Sequence, residues 1–191
     1  MKYKMLVVID YQKDFVNGKL GFDGAENLDS KIAQKIRQYE INGGIIVRTM
    51  DTHFKNYLET REGKNLPIEH CLFRTDGWEM YGATGKAWDE ISERMATYSL
   101  DKRSFGVDPS LMIELIGYLR MSGIEVADIE TIEFVGLVSN ICVLSNVVVF
   151  QSAFPNATMV VNPMLTDSFD KELHEATMKV LGGLQVKFID N

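Results

Sequence analysis

The sequence predicts an α/β fold, a three-layer α/β/α sandwich whose mainly parallel sheet has about six strands. Short runs rich in β-branched residues alternate along the chain with segments of helical periodicity. The runs are apolar at nearly every position, which is typical of strands buried on both faces. With 191 residues and no linker-like stretch, we expect one domain spanning residues 1–191.

Six segments are predicted strands because apolar and β-branched residues fill them and turn residues or helical patterns separate them. The segment 96–102 is the least apolar of the six. In chain order they are residues 5–10, 44–51, 96–102, 131–138, 157–165 and 184–190.

Four segments between these strands are predicted helices. In residues 28–44, Leu28, Ile32, Ile36 and Tyr39 share one face, and the Asn-Gly-Gly ending supplies a stop. A second helix begins at Pro109, which follows a capping aspartate, and continues to Gly123. The other two are residues 140–154 and 168–183.

The composition excludes several classes of protein. The formal net charge is −7 and lysine and arginine form no block, which argues against nucleic acid or an anionic membrane as a partner. No apolar stretch approaches the roughly 20 residues that span a bilayer, and the N-terminus lacks the pattern of a signal peptide. We therefore expect a cytoplasmic protein in which Cys71 and Cys142 are free thiols.

Three chemically reactive side chains come where predicted strands end. Asp10 ends the first strand, Lys102 ends the segment 96–102, and Cys142 follows the fourth strand at the start of a helix. The carboxyl ends of parallel strands share one edge of the sheet, where ligands bind. A helix start favours a thiolate and can hold an oxyanion, Asp10 could accept the thiol proton, and Lys102 could hold the charges together. The alternative is a small buried cysteine beside a turn aspartate and a surface lysine.

A second group of polar residues lies at the end of the second strand and in the aperiodic segment 52–82. Asp51 and His53 are two residues apart and point the same way, and His70 can return to them, with Glu62 as a fourth candidate. Carboxylate and imidazole ligands suit zinc, iron or manganese. The alternative is that His70 caps or packs, and His174, within a predicted helix, is expected to be exposed.

Residues 82–88 contain a Gly-Lys pair without the rest of a phosphate-binding loop. Met80 stands where that loop needs glycine, and Ala87 stands where it needs serine or threonine. Nucleotide binding is therefore not predicted.

The chain resembles the isochorismatase-like cysteine hydrolases and, within them, the nicotinamidase branch. Five segments carry the resemblance in the family's order: VVIDYQKDFVNG (7–18), TMDTHF (49–54), LPIEHC (66–71), LDKRSFG (100–106) and GLVSNICVLSN (136–146). The resemblance implies the isochorismatase-like hydrolase fold and a metal-containing cysteine amidohydrolase. In that branch nicotinamide becomes nicotinic acid and ammonia through a cysteine thioester, a step of NAD metabolism.

The same resemblance implies roles for individual residues. Asp10, Lys102 and Cys142 match the catalytic triad, and the N–H groups of Val138 and Cys142 match the oxyanion site, with a cis peptide at 137–138. Phe15 matches an aromatic residue that stacks on the substrate ring. Asp51, His53 and His70, with Glu62 as a further ligand, would hold one divalent metal, zinc with iron or manganese as alternatives. Relatives commonly form dimers or tetramers, so a homo-oligomer is expected.

Two positions differ from the branch. Leu66 and Pro67 stand where nicotinamidases usually have a ring-clamping aromatic residue, and Asn140 stands where an acid is common. The first difference favours a relative that acts on another small amide or a carbamoyl compound. Two readings from other classes are a non-catalytic ligand- or metal-binding relative and a redox sensor that uses both cysteines.

Overall fold

One parallel sheet organises the molecule. The computed structural model describes residues 1–92 and 97–189, in which six strands are hydrogen-bonded in the order β3-β2-β1-β4-β5-β6. Every pairing is parallel. The strands are β1 (Tyr3–Ile9), β2 (Ile45–Asp51), β3 (Thr97–Lys102), β4 (Ile129–Leu137), β5 (Thr158–Asp167) and β6 (Lys187–Phe188).

Helices cover both faces of this sheet. They are α1 (Lys13–Val16), α2 (Asp29–Ile41), α3 (Arg61–Asn65), α4 (Gly82–Ser92), α5 (Pro109–Met121), α6 (Leu144–Ala153) and α7 (Lys171–Gly183). Along β1, Leu6 and Val8 enter a core shared with α2 and α4, whereas Met5, Val7 and Ile9 enter a core shared with α5, α6 and α7. No helix among residues 1–92 and 97–189 is both long and apolar enough to cross a membrane.

This arrangement confirms the predicted three-layer α/β/α sandwich with a parallel sheet. It also explains why the strands are continuously apolar, since both faces of β1 are buried without exposed positions from Met5 to Ile9. Five strands lie within two residues of their predicted bounds, and residue 96 of the segment 96–102 lies outside the described residues.

The last strand is much shorter than predicted. Of residues 184–190, only Lys187 and Phe188 pair with β5, and residue 190 lies outside the described residues. Residues 184–186 instead turn the chain after α7: the Val186 N–H donates to the Leu181 carbonyl, and Gln185 has φ +66°. The apolar pattern of this segment comes from burial of Val186 under the helix end, so the prediction of a long strand was wrong.

Helix α4 was not predicted from the sequence. Its buried face is formed by Thr84, Ala87, Trp88 and Ile91, which follow the i, i+3, i+4, i+7 spacing of an amphipathic helix. The helix begins where the Asp29 carboxylate accepts hydrogen bonds from the N–H groups of residues 83 and 84, at 2.7 and 2.8 Å. The cap comes from a distant residue, so no local start signal precedes the helix.

The predicted helix 140–154 begins with a wider turn. Residues Ser139–Val143 form a π-helical turn, and α6 continues from Leu144. The aperiodic segment 52–82 contains α3 and two short 3₁₀ turns at Tyr57–Glu59 and Asp76–Trp78, joined by irregular chain.

Gly136, near the end of β4, allows β4 and β1 to approach closely. Gly136 has φ +111°, and an added Cβ would lie 2.1 Å from the Ile9 carbonyl oxygen. Only glycine fits this close approach without displacement. The contact lies directly before Asp10, which leaves the sheet with φ +43°.

We expect Gly136→Ala to lower the free energy of unfolding by at least about 2 kcal/mol, because it adds a clash to an unfavourable φ. Urea unfolding measures the change. Gly117→Ala in α5 is the control, since no atom lies within 4 Å of its added Cβ, and a gain of about 0.5–1 kcal/mol is expected there. Equal stabilities of the two variants would contradict the close approach.

Candidate active site

The ends of four neighbouring strands deliver the polar side chains of the site. Asp10 follows β1, Asp51 ends β2, Lys102 ends β3, and Cys142 lies in the turn after β4. Asp51 and Lys102 are directly paired in the β2–β3 register. The sheet therefore brings together the three residues of the predicted triad and the first predicted metal ligand.

Asp10 is held between a hydroxyl and an ammonium group. Thr49 Oγ1 donates to Asp10 Oδ1 at 2.6 Å, and Lys102 Nζ lies 2.7 Å from Asp10 Oδ2. Both members of this ion pair are fully buried. Burial raises the pKa of Asp10, Lys102 lowers it and Asp51 raises it again, so that the pKa stays above its ordinary value.

Lys102 contacts Asp10, Asp51 and Cys142. Besides Asp10, its Nζ lies 3.3 Å from Asp51 Oδ1 and 3.8 Å from Cys142 Sγ. Burial alone lowers the pKa of Lys102, but the charges of Asp10 and Asp51 raise it well above its ordinary value. The lysine is therefore a permanent cation between two carboxylates and a sulfur atom.

The Cys142 turn, residues 138–143, holds a buried cysteine, with the residue 5% exposed. Burial raises the pKa of the Cys142 thiol well above its ordinary value, Lys102 lowers it, and Asp10 and Asp51 raise it further. Burial and the two carboxylates thus favour the neutral thiol, whereas Lys102 favours the thiolate.

The Cys142 turn also aims its backbone groups. The peptide between Leu137 and Val138 is cis, where the family resemblance places it. The Val138 carbonyl accepts hydrogen bonds from the N–H groups of Ile141 (3.2 Å) and Val143 (3.1 Å). Within the described part of the chain, the Val138 N–H has no hydrogen-bond acceptor. A free N–H beside the sulfur is a suitable donor for an oxyanion.

The four predicted metal ligands form one cluster. His53 Nε2 and His70 Nε2 lie 3.0 and 3.3 Å from Asp51 Oδ2, and they lie 3.5 and 3.7 Å from Glu62 Oε1. All four ligand atoms fall within 4.8 Å of one another. Two imidazole nitrogens with two carboxylate oxygens suit zinc, iron or manganese, so this donor set fits a divalent metal.

Local structure orients the two ligands that come from the irregular segment. His70 Nδ1 lies 2.7 Å from the Ile68 carbonyl, which directs Nε2 toward the cluster. Glu62 lies in the first turn of α3, where the Thr60 side chain accepts a hydrogen bond from the Gly63 N–H. Tyr57 packs against both histidines, with ring centroids at 4.5 and 5.1 Å.

Without a metal, the cluster holds a proton. Burial lowers the pKa of His53, but its hydrogen bonds with Asp51 and Glu62 raise it, and the net effect is a pKa of about 9. The two carboxylates therefore favour a positive charge at this position.

Phe15 and Pro67 occupy the two positions at which the resemblance implies aromatic residues around a substrate ring. Phe15 in α1 is buried, and its ring lies edge-on to that of His70 with the centroids 5.5 Å apart. Pro67 is exposed, as is the neighbouring Ile68. The position of the usual second aromatic residue thus contributes no ring.

A cavity of about 330 Å³ opens beside the cluster of predicted metal ligands. Its lining includes the cluster residues His53 and Glu62 and the two cations Arg61 and Arg103. The Arg103 guanidinium lies 4.8 Å from the ring centre of Phe54, which limits its motion.

Sequence reasoning missed Gln12 and misjudged His174. The Gln12 side chain donates to the Asp51 carbonyl at 2.9 Å and accepts from the Asp51 N–H at 2.7 Å, so it fixes the backbone of the first predicted metal ligand. Its place two residues after Asp10 was the available signal. His174 is half-buried, not exposed, and contacts Ser139.

Cys71 is a buried free thiol. Burial raises its pKa, and the charges of Asp51 and Asp10 raise it further. Cys71 has no exposed surface, so an oxidant in solution cannot reach it, which disfavours the redox-sensor interpretation. Its N–H donates to the Asp14 carboxylate at 2.8 Å, which anchors the chain next to His70.

Known proteins match this chain along its whole length. The family model described as isochorismatase domain matches residues 4–190. The solved pyrazinamidase/nicotinamidase of Streptococcus mutans is 25% identical, with a TM-score of 0.82 over 97% of this chain and 99% of that chain. No curated protein matches the chain.

Two further solved structures share the fold at lower identity. The pyrazinamidase of Pyrococcus horikoshii, in complex with zinc, is 21% identical, with a TM-score of 0.78 over 98% of this chain and 99% of that chain. The N-carbamoylsarcosine amidase of Thermoplasma acidophilum is also 21% identical, with a TM-score of 0.73 over 98% and 95% of the two chains.

We expect the protein to bind one equivalent of zinc, with Glu62→Gln weakening the affinity at least about tenfold, since the charged oxygen is lost. Chelator competition measures the affinity, and Glu59→Gln, an exposed residue outside the cluster, is the control. Because metal must displace the proton of His53, whose pKa is about 9, affinity should rise between about pH 7 and 9. The site would be refuted if Glu62→Gln bound zinc as tightly as wild type, or if the zinc affinity of the wild type did not change with pH.

Proposed function

This chain belongs to the isochorismatase family, and from that premise we propose that it is a metal-containing cysteine amidohydrolase that converts nicotinamide to nicotinic acid and ammonia. The observation that carries the proposal is the buried Lys102 ammonium, 2.7 Å from the Asp10 carboxylate and 3.8 Å from the Cys142 sulfur. A base, a cation and a nucleophile in mutual contact suit attack on a carbonyl carbon.

In the first half-reaction, Asp10 takes the thiol proton while the Cys142 sulfur bonds to the amide carbon. The carbonyl oxygen becomes negative and accepts hydrogen bonds from the N–H groups of Val138 and Cys142. Asp10 then gives its proton to the amide nitrogen and the carbon–nitrogen bond breaks. Ammonia departs, and the acyl group remains on Cys142 as a thioester. The raised pKa of Asp10 supports this role, because the carboxyl group must hold the proton between the two transfers.

In the second half-reaction, Asp10 takes a proton from water as the water oxygen attacks the thioester carbon. The carbon–sulfur bond breaks, the proton returns from Asp10 to the sulfur, and the carboxylic acid leaves. Lys102 keeps its charge throughout and offsets the negative charge that moves between carboxylate, sulfur and oxyanion. Each proton-transfer or oxyanion group supplies on the order of 10²–10⁴ in rate.

Asp51, His53, Glu62 and His70 would hold one divalent metal, and zinc is proposed because the donor set fits it and a neighbour of the same fold is a zinc complex. When bound, the ion supplies Lewis-acid charge beside the cavity. Asp51 links the two halves of the site, since Oδ2 faces the histidines and Oδ1 lies 3.3 Å from Lys102.

A second candidate substrate is a small amide or carbamoyl compound that carries a negative group. Two observations favour it: Leu66 and Pro67 supply no ring to clamp nicotinamide, and Arg61 and Arg103 line the cavity beside the cluster. Neither arginine forms an ion pair with the described residues, so both guanidinium groups are available to an anion.

A panel of amides distinguishes the two candidates. We expect zinc-loaded protein to release ammonia from nicotinamide and to lose this activity with a chelator. The panel includes a carboxylate-bearing carbamoyl compound. Its rate of hydrolysis is compared among Arg61→Met, Arg103→Met and a control, Arg120→Met, which lies on the exposed surface of α5. The second candidate is favoured if nicotinamide is not hydrolysed, whereas the carboxylate-bearing compound is hydrolysed and the rate falls in Arg103→Met.

Replacement of the nucleophile tests the chemistry itself. In folded, zinc-loaded protein, Cys142→Ser and Asp10→Asn should each lower kcat at least about 10³-fold, because the nucleophile and its base act as a unit. Cys71→Ala, which removes the other buried thiol, should retain turnover. Mass spectrometry of the quenched wild type should find an acyl group on Cys142. Unchanged turnover in Cys142→Ser would exclude this nucleophile and favour a protein that only binds.

A further inference from the structure

His174 on α7 touches the Cys142 turn from outside the site. Its Nδ1 lies 3.0 Å from Ser139 Oγ, and its side chain is 18% exposed. Ser139 is fully buried, and its hydroxyl has no other hydrogen-bond partner among the described residues. A buried hydroxyl without a hydrogen-bond partner is unfavourable, so this contact helps to hold Ser139 in place.

The turn does not fix its own position in the molecule. Its internal bonds, from the N–H groups of Ile141 and Val143 to the Val138 carbonyl, set its shape. They do not set its distance from Asp10 and Lys102, which belong to other strands. That distance depends on the attachment of the turn to β4 and α6 and on its contacts with other elements.

Two outside contacts come from the segment that follows β5. Ser168 Oγ donates to Asn140 Oδ1 at 2.7 Å, and His174 contacts the preceding residue, Ser139. A third contact comes from α6: Asn146 Nδ2 donates to the Cys142 carbonyl at 2.8 Å and to the Phe105 carbonyl at 3.1 Å. Side chains from several parts of the chain therefore contact the turn.

We propose that His174 is a positioning residue for hydrolysis: through Ser139, it holds the Cys142 turn where its sulfur and the Val138 N–H meet the substrate carbonyl. This inference rests on the proposed function. His174 reaches neither the sulfur nor the oxyanion site, so it acts only through Ser139. Displacement of a reacting group by about 1 Å costs on the order of 10² in rate.

The chemistry of the contact predicts which replacement works. Asp167 Oδ1 lies 4.0 Å from His174 Nδ1, and Asp167 is itself paired with Lys171 at 2.6 Å. Either imidazole tautomer can bond the Ser139 hydroxyl, as donor or as acceptor. The role thus needs only a polar atom at the position of Nδ1, which an asparagine side chain can supply and a longer glutamine side chain cannot.

The test compares variants of the zinc-loaded protein on the amide that it hydrolyses fastest. His174→Ala and Ser139→Ala should each lower kcat about tenfold or more with little change in KM, and the double variant should be no slower than either. His174→Asn should recover kcat to within about threefold of wild type, and His174→Gln should not. Glu175→Ala, an exposed neighbour on the same helix, should match wild type.

A second measurement does not depend on the substrate. The rate at which iodoacetamide alkylates Cys142 should change in His174→Ala and return toward the wild-type value in His174→Asn, with melting temperatures recorded for every variant. If wild type hydrolyses no amide, the proposed function fails and alkylation alone decides the role of His174. Three results would each overturn the inference. The first is a wild-type kcat and alkylation rate in His174→Ala, and the second is an additive loss of kcat in the double variant. The third is a stable His174→Asn variant whose kcat is no higher than that of His174→Ala.

Discussion

The buried ammonium group of Lys102 is the interaction on which the rest of the site depends. An uncompensated charge at a fully buried position costs several kcal/mol, so its partners must be held close. Asp10 and Asp51 supply carboxylates from the ends of β1 and β2, and Cys142 supplies its sulfur from the turn after β4. The parallel order β3-β2-β1-β4 brings these partners to one edge. The strand order that pairs the sheet therefore also sets which reactive groups meet in the site.

Charge balance links the two halves of the site. One ammonium faces two carboxylates, and Glu62 adds a third negative group nearby. The excess negative charge favours a cation among the four clustered side chains. This cation is either a protonated His53, whose pKa is raised, or a divalent metal. Asp51 feels both the lysine and this cation, so metal occupancy and the charge around Cys142 are physically coupled.

The backbone at the meeting point of β1 and β4 serves the same arrangement. Gly136 lets β4 approach the Ile9 carbonyl, and Asp10 immediately leaves the sheet with a positive φ. The Asp10 conformation is unfavourable by itself and is retained because surrounding packing enforces it. The Cys142 turn is likewise shaped by its own backbone bonds and held by side chains from α6 and α7. Apolar layers on both faces of the sheet supply the rigidity that such positioning needs.

The sequence by itself determined the α/β fold class, the bounds of five strands, and the residues that could meet at the carboxyl edge. It could do so because burial on both faces of the sheet leaves a local apolar pattern in each strand. In addition, the carboxyl ends of parallel strands lie at the same edge of the sheet whatever the strand order. The Asp51 and His53 spacing is also local, since side chains two apart on a strand end point the same way.

Only the tertiary structure decided the features that depend on distant contacts or on loss of water. Asp29 caps α4, the end of α7 takes up most of the expected last strand, and Gln12 fixes the Asp51 backbone, all across long sequence separations. His174 looked exposed because its partner, Ser139, is far away in the chain. Burial raises the pKa of the Cys142 thiol, and the depth at which a residue is buried cannot be deduced from its neighbours along the chain.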